Sequence, residues 1–197
     1  VDSESAGNNS RPGSGSAHVI FGGPTMANVD TAALPPNRGI RVDGAEANET
    51  FGFGLASAGD VNGDGYSDIV IGDHLFDDGQ NDEGAISVYL GSPGKLAPGL
   101  PYSLTGTQPM VRYGASISAL GDVNGDGYGD IIVGAPHYDN GQPEEGAAFI
   151  YLGTASGIST TFSVMLTGGG LNVPPIGSLA SLEQLVFPRQ LATSERT

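Results

Sequence analysis

Gly59-Asp60-Val61-Asn62-Gly63-Asp64-Gly65-Tyr66-Ser67-Asp68-Ile69-Val70-Ile71-Gly72 returns sixty-two residues later as Gly121-Asp122-Val123-Asn124-Gly125-Asp126-Gly127-Tyr128-Gly129-Asp130-Ile131-Ile132-Val133-Gly134. Oxygen-bearing residues fall at alternate positions, a spacing that wraps a short loop around a calcium ion. The fixed period makes the loop one part of a repeating architecture.

The register extends outward from the loop. Phe51-Gly52-Phe53-Gly54 aligns with Tyr113-Gly114-Ala115-Ser116, and Gly84-Ala85-Ile86-Ser87-Val88-Tyr89-Leu90-Gly91 aligns with Gly146-Ala147-Ala148-Phe149-Ile150-Tyr151-Leu152-Gly153. From about Asp43 to Gly91 the match has no gap, so the two units share loop lengths as well as strands. Gly15-Ser16-Ala17-His18-Val19-Ile20-Phe21-Gly22 reads as the last strand of an earlier unit. Val164-Met165-Leu166-Thr167-Gly168 and Ser178-Leu179-Ala180-Ser181-Leu182 read as the start of a later one. Where a third acidic loop is due, the chain has Glu183-Gln184-Leu185-Val186-Phe187-Pro188-Arg189. The expected organisation is an upstream blade end and connection at 1–39, full repeats at 40–101 and 102–163, and a degenerate or truncated third repeat at 164–197.

Each unit reads as strands. Residues 55–58 and 69–71 flank the acidic loop as a hairpin; Ile86, Val88 and Leu90 alternate with Ser87 and Tyr89 in a third strand. In the second unit Ala148, Ile150 and Leu152 alternate with Phe149 and Tyr151, so that strand is apolar on both faces and needs cover on both. A fourth short strand near 40–43 and 102–105 completes a four-stranded sheet. Residues 179–191 are the one weak helical candidate. Stacked four-stranded sheets, each buried between neighbours, define an all-β fold of β-propeller blades, here about three four-stranded units.

Taking Asp60 as position 1, Asp60, Asn62 and Asp64 offer side-chain oxygens, Tyr66 its backbone carbonyl and Asp68 a closing carboxylate. Asp122, Asn124, Asp126, Tyr128 and Asp130 repeat the set. Calcium takes six to eight such hard oxygens, and a divalent ion relieves the mutual repulsion of three close carboxylates. About two calcium ions are therefore expected. Asn-Gly and Asp-Gly hairpin turns without an ion explain the glycines, but not Asp at positions 1, 5 and 9 in both copies. An EF-hand needs a bidentate acid at position 12 and flanking helices; Ile71 and Val133 stand there, inside apolar runs.

The formal charge of −15 repels phosphate backbones and anionic membranes, which argues against nucleic-acid binding. No apolar run reaches the roughly 18 residues of a membrane span. The absence of cysteine excludes thiol catalysis and a disulfide framework. The amino terminus, Val1-Asp2-Ser3-Glu4-Ser5, is polar and unlike a signal peptide. His18, His74 and His137 hold no equivalent positions, and no nucleophile motif accompanies them, so the expected activity is non-catalytic. Gly168-Gly169-Gly170 lacks the Lys-Ser/Thr and helix of a phosphate cradle. Tyr89 and Tyr151 recur at one strand position, which reads as inter-blade packing in preference to a binding platform. The acidic run 77–83 reads as a solvated loop, with a recognition loop or an extra metal site as the alternatives. Asn8-Asn9-Ser10 and Asn48-Glu49-Thr50 match the glycosylation sequon.

Together, the acidic loops, Phe51-Gly52 with Tyr113-Gly114, and Gly134-Ala135-Pro136 resemble the FG-GAP repeats of integrin α-chain propellers and related bacterial surface proteins. Gly72-Asp73-His74 departs from the GAP element. The resemblance covers about 40–153. It implies a seven-bladed ring, with calcium loops on the lower face and recognition of a protein or glycan ligand on the upper; at about three units this chain departs from the family in number and is expected as an open fragment, completed by a longer parent or by several chains. The resemblance also implies an extracellular or cell-surface location. Open blade edges expose the fragment to self-association. The alternative is the accessory propeller of a secreted hydrolase such as a phospholipase D, whose lipid-anchor-releasing members carry similar repeats.

Overall fold

Short apolar runs punctuated by glycine turns form a succession of antiparallel strands. The computed structural model describes residues 13–22, 29–45, 47–97, 101–167 and 170–172. In chain order the strands are β1 (Ser16–Ile20), β2 (Gly39–Asp43), β3 (Gly54–Gly59), β4 (Asp68–Asp73), β5 (Ala85–Tyr89), β6 (Gly91–Ser92), β7 (Lys95–Leu96), β8 (Tyr102–Thr105), β9 (Ser116–Gly121), β10 (Asp130–Ala135), β11 (Ala147–Tyr151), β12 (Gly153–Thr154), β13 (Gly157–Ile158), β14 (Val164–Thr167) and β15 (Gly170–Asn172). Helical structure among the described residues is one 3-10 turn, Thr31–Ala33. The weak helical candidate at 179–191 and the third-unit segment at 178–182 lie outside the described residues.

The first full sheet is the meander β3-β4-β5-β8, and the second is β9-β10-β11-β14 with β15 at its outer edge. Register is the same in both: Leu55 faces Ile71 and Ile69 faces Tyr89, as Ile117 faces Val133 and Ile131 faces Tyr151. Both hairpins bulge where the acidic loop re-enters the ladder. Small hairpins, β6–β7 and β12–β13, follow the third strand of each sheet. The all-β blade architecture read from the sequence is what the chain adopts.

The fourth strand is borrowed. Tyr102–Thr105 opens the next sixty-two-residue period, yet it pairs with β5 of the preceding sheet, Ile86 opposite Leu104. By the same rule β2 pairs with β1, Val42 opposite Ala17. Each sheet is thus closed by residues from the period that follows it.

Period-two alternation sends successive β4 side chains into different cores. Val70 packs with Ala58, Ile86, Val88 and Leu104 against Ile131, Val133, Phe149 and Tyr151 of the second sheet and Val111 and Tyr113 of the connection leading into it. Ile71 points the other way and packs with Ala17 and Phe51 against the β1–β2 pair, beside Val42, Ile69 and Tyr89. Tyr89 and Tyr151 both lie in inter-sheet packing, as expected of them. The first sheet is therefore covered on both faces.

The second sheet's far face is more open. Leu120 is 36% exposed where its counterpart Ala58 is fully buried. Ile132, counterpart of the fully buried Val70, is half-buried. In β11 Phe149 and Tyr151 are buried against the first sheet; on the other face Ala148 and, just past the strand, Leu152 are half-buried, while Ile150 is 9% exposed.

Candidate metal loops and the opposite corner

Both acidic loops sit at one end of their sheets, joining β3 to β4 and β9 to β10. Left-handed backbone at Gly63 (φ 73°), Gly65 (φ 87°), Gly125 (φ 77°) and Gly127 (φ 94°) turns the chain back on itself, a conformation cheap only for glycine. The loops also touch. The Gly129 N–H donates to the Asp60 carbonyl at 2.7 Å, and the Tyr128 ring lies where a side chain at Gly63 would go.

Within the first loop the Asp64 N–H is shared by Asp60 Oδ1 (3.0 Å) and Asn62 Oδ1 (3.1 Å), so two expected ligand oxygens converge on one side of the turn. Asp60 Oδ2 accepts from Gly65 N–H, Asp64 Oδ1 accepts from Tyr66 N–H, and Asn62 Nδ2 donates to Asp64 Oδ2. Asp122, Asn124 and Asp126 repeat these bonds. The amides of Gly127, Gly125 and Asp126 hold the Asp122 carboxyl below the usual carboxylate range.

Position 9 differs in kind. Asp68 and Asp130 are fully buried. Asp68 Oδ2 accepts from Val61 N–H at 2.8 Å, and Oδ1 accepts from Gly91 N–H at 2.7 Å. Asp130 does the same with Val123 and Gly153, at 2.8 and 2.9 Å. These carboxylates tie the loop's entry to the small hairpin after the third strand. Burial raises both pKa values; the loop acids raise them further, and the two amides partly offset the rise.

The donor chemistry of each loop fits a hard cation: three carboxylates, one amide oxygen and one main-chain carbonyl, with no nitrogen or sulfur among them. Among the described residues no three carboxylate or imidazole groups converge on a metal-sized point; the loop acids are turned onto backbone amides instead. The same geometry satisfies an acidic turn held by its own amides.

Sequence reasoning missed the opposite end of the first sheet. There Asp73, the last residue of β4, is 4% exposed, and its Oδ1 accepts from Thr50 N–H (2.9 Å) and Thr50 Oγ1 (3.3 Å). Thr50 Oγ1 also bonds His74 Nδ1 at 2.8 Å, and the His74 ring lies against Phe53 with centroids 4.2 Å apart. The available signal was the break in the repeat, since Asp73-His74 stands where the sister unit has Ala135-Pro136. The other histidines are placed apart: His18 lies on β1 with its pKa lowered by burial, and His137 Nδ1 is 3.6 Å from Glu144.

The acidic run 77–83 is more than a solvated loop. Asn81, Asp82 and Glu83 carbonyls accept from the Met110, Arg112 and Tyr113 amides, latching the first sheet to the second. Glu83 is buried, and its Oε1 accepts from Asp78 N–H at 2.7 Å. Of the two sequon asparagines, Asn48 is exposed; Asn8 lies outside the described residues.

Four-stranded antiparallel meanders stacked face to face, each with an acidic loop in its first hairpin, make this a protein built of β-propeller blades. Residues 51–89 and 113–151 match the FG-GAP repeat family, and the chain is an FG-GAP repeat protein. It is similar to human integrin alpha-6, 39% identical over 127 residues that cover 64% of this chain and 11% of that protein. Integrin alpha-7 of Rattus norvegicus is 36% identical over 139 residues, covering 70% and 12%. Mouse integrin alpha-IIb is 37% identical over 141 residues, covering 66% and 13%. The matched stretch thus spans little more than a tenth of each of these relatives.

Proposed function

We propose that this chain is a calcium-stabilised, non-catalytic segment of a β-propeller that serves recognition or adhesion outside the cell or at its surface. The carrying observation is the pair of sister loops, each with the same hard-oxygen set on the same turn. Asp60, Asn62, Asp64, the Tyr66 carbonyl and Asp68 would hold one calcium ion, and Asp122, Asn124, Asp126, the Tyr128 carbonyl and Asp130 the other. Asp68 and Asp130, already anchored by two amides each, would serve as fixed walls, while the exposed acids of the turn exchange backbone amides for the ion. Calcium supplies charge neutralisation and rigidity there.

Similarity to integrin alpha chains supports the recognition reading and the extracellular location. In this reading 40–101 and 102–163 are the repeat units, 1–39 ends an upstream blade and 164–197 is a divergent third. The partner is a protein or glycan, and the open sheet edges add a tendency to self-association. Calorimetric titration with calcium tests the proposal: about two sites are expected, with the melting temperature rising as they fill. No heat and no thermal shift in millimolar calcium would refute it.

A further inference from the structure

At the end of β4 remote from the acidic loop, the first sheet carries a group of titratable residues that the sister sheet lacks. Asp73 (4% exposed), His74 (9%) and Glu49 (6%) are buried together around Thr50. Asp73 Oδ1 receives both Thr50 donors, whereas the buried Oδ2 makes no hydrogen bond of ordinary geometry. A buried carboxylate oxygen without a donor is costly while charged and becomes a donor itself once protonated. Thr50 has one hydroxyl proton and, with His74 as the Nε2–H tautomer, two neighbours that can accept it, Asp73 Oδ1 and His74 Nδ1. The protonation state of Asp73 therefore decides which way that hydroxyl points. His74 in turn supports Phe53, which is 57% exposed at the surface of this corner.

We propose that Asp73, Thr50, His74 and Glu49 form a proton-binding lock that couples pH to the placement of the exposed Phe53 ring. With Asp73 ionised, the Thr50 hydroxyl is drawn to the carboxylate and His74 Nδ1 loses its donor. With Asp73 protonated, Thr50 Oγ1–H turns to His74 Nδ1 and fixes the imidazole under Phe53. The proton comes from solvent and returns to it; no other bond changes.

The electrostatic setting agrees. Burial raises the Asp73 pKa to about 6, Glu49 adds to the rise, and the amides of Thr50 and Leu75 with the Thr50 hydroxyl oppose it. Burial first and Arg112 second lower the His74 pKa, against a smaller opposing effect of Asp82, a shift that favours the neutral imidazole.

The test is an NMR titration of the whole chain between pH 4.5 and 8, following the Asp73 carboxyl carbon and the Phe53 and His74 ring signals. The carboxyl should titrate near 6, and the Phe53 ring signals should shift with the same midpoint. Glu49→Gln should lower that midpoint, and Asp73→Asn should leave the Phe53 signals flat over this range. An Asp73 carboxyl titrating in the ordinary range near 4 overturns the proposal. So does a Phe53 shift that survives in Asp73→Asn. The wild-type titration alone decides the first point if a variant fails to fold.

Discussion

Asp68 reaches Gly91 across twenty-three residues of sequence, its buried Oδ1 accepting the Gly91 N–H at 2.7 Å, and Asp130 reaches Gly153 in the same way at 2.9 Å. The ninth position of each loop is thus a structural strut in the chain itself, because its two oxygens satisfy backbone amides of two separate segments.

Asp68→Ala and Asp130→Ala should each destabilise the fold without calcium as well as with it. Each leaves two amides unpaired, at about 1–3 kcal/mol per buried donor. Urea denaturation in chelator and in calcium measures both arms. A loss confined to the calcium arm would contradict the strut.

Asp64 and Asp126 are exposed and belong to the turn alone. Their alanine variants should each remove about one calcium equivalent in calorimetry while costing little stability in chelator, within about 1 kcal/mol. Full stoichiometry in either variant would show the ligand assignment to be wrong.

Asp73 predicts a pH slope of definite sign. Its folded-state value of about 6 lies above the ordinary 3.8, so the folded chain binds this proton more tightly than the unfolded one. The associated stability is present below about pH 4 and is lost as pH rises through 6. Relative to Asp73→Asn, the native chain should lose on the order of 2 kcal/mol over that interval, after discount for partial solvent screening. Parallel urea curves at pH 4.5, 6 and 7.5 check this, and a native chain that gains on the variant with rising pH would reverse the sign.

Gly84 and Gly146 hold the same position in successive repeats with nearly the same φ, 75° and 72°. A Cβ at Gly84 would drive into the Tyr113 carbonyl and amide of the next sheet, whereas at Gly146 its nearest neighbour is the Pro136 carbonyl at 3.1 Å. Gly84→Ala should therefore cost more than Gly146→Ala. The shared backbone penalty is about 1 kcal/mol, and the difference between the two melting temperatures reports the inter-sheet contact.

Much of this was legible in the sequence because periodicity and loop chemistry are local. Alternation in residues 86–90 and 148–152 predicts strands, and two copies of one acidic turn predict two copies of one hairpin. What remained hidden depends on neighbours distant in sequence. Val70 and Ile132 are near-identical residues in matched positions, yet one is buried and the other half-exposed because a second sheet covers only the first. Nothing in residues 72–74 says that Thr50 will sit within hydrogen-bonding reach of both Asp73 and His74. The departure from the repeat marks the place without revealing the chemistry.

Tyr102–Thr105 closes the sheet of the period before its own. The length that recurs in the chain is thus not the length that folds. A gene cut at 40–101 would encode β2 without its partner β1 and leave β5 with a bare edge, whereas a cut taken after residue 105 would carry every rung of that ladder. Anyone trimming, swapping or fusing these modules should follow the hydrogen bonds rather than the alignment.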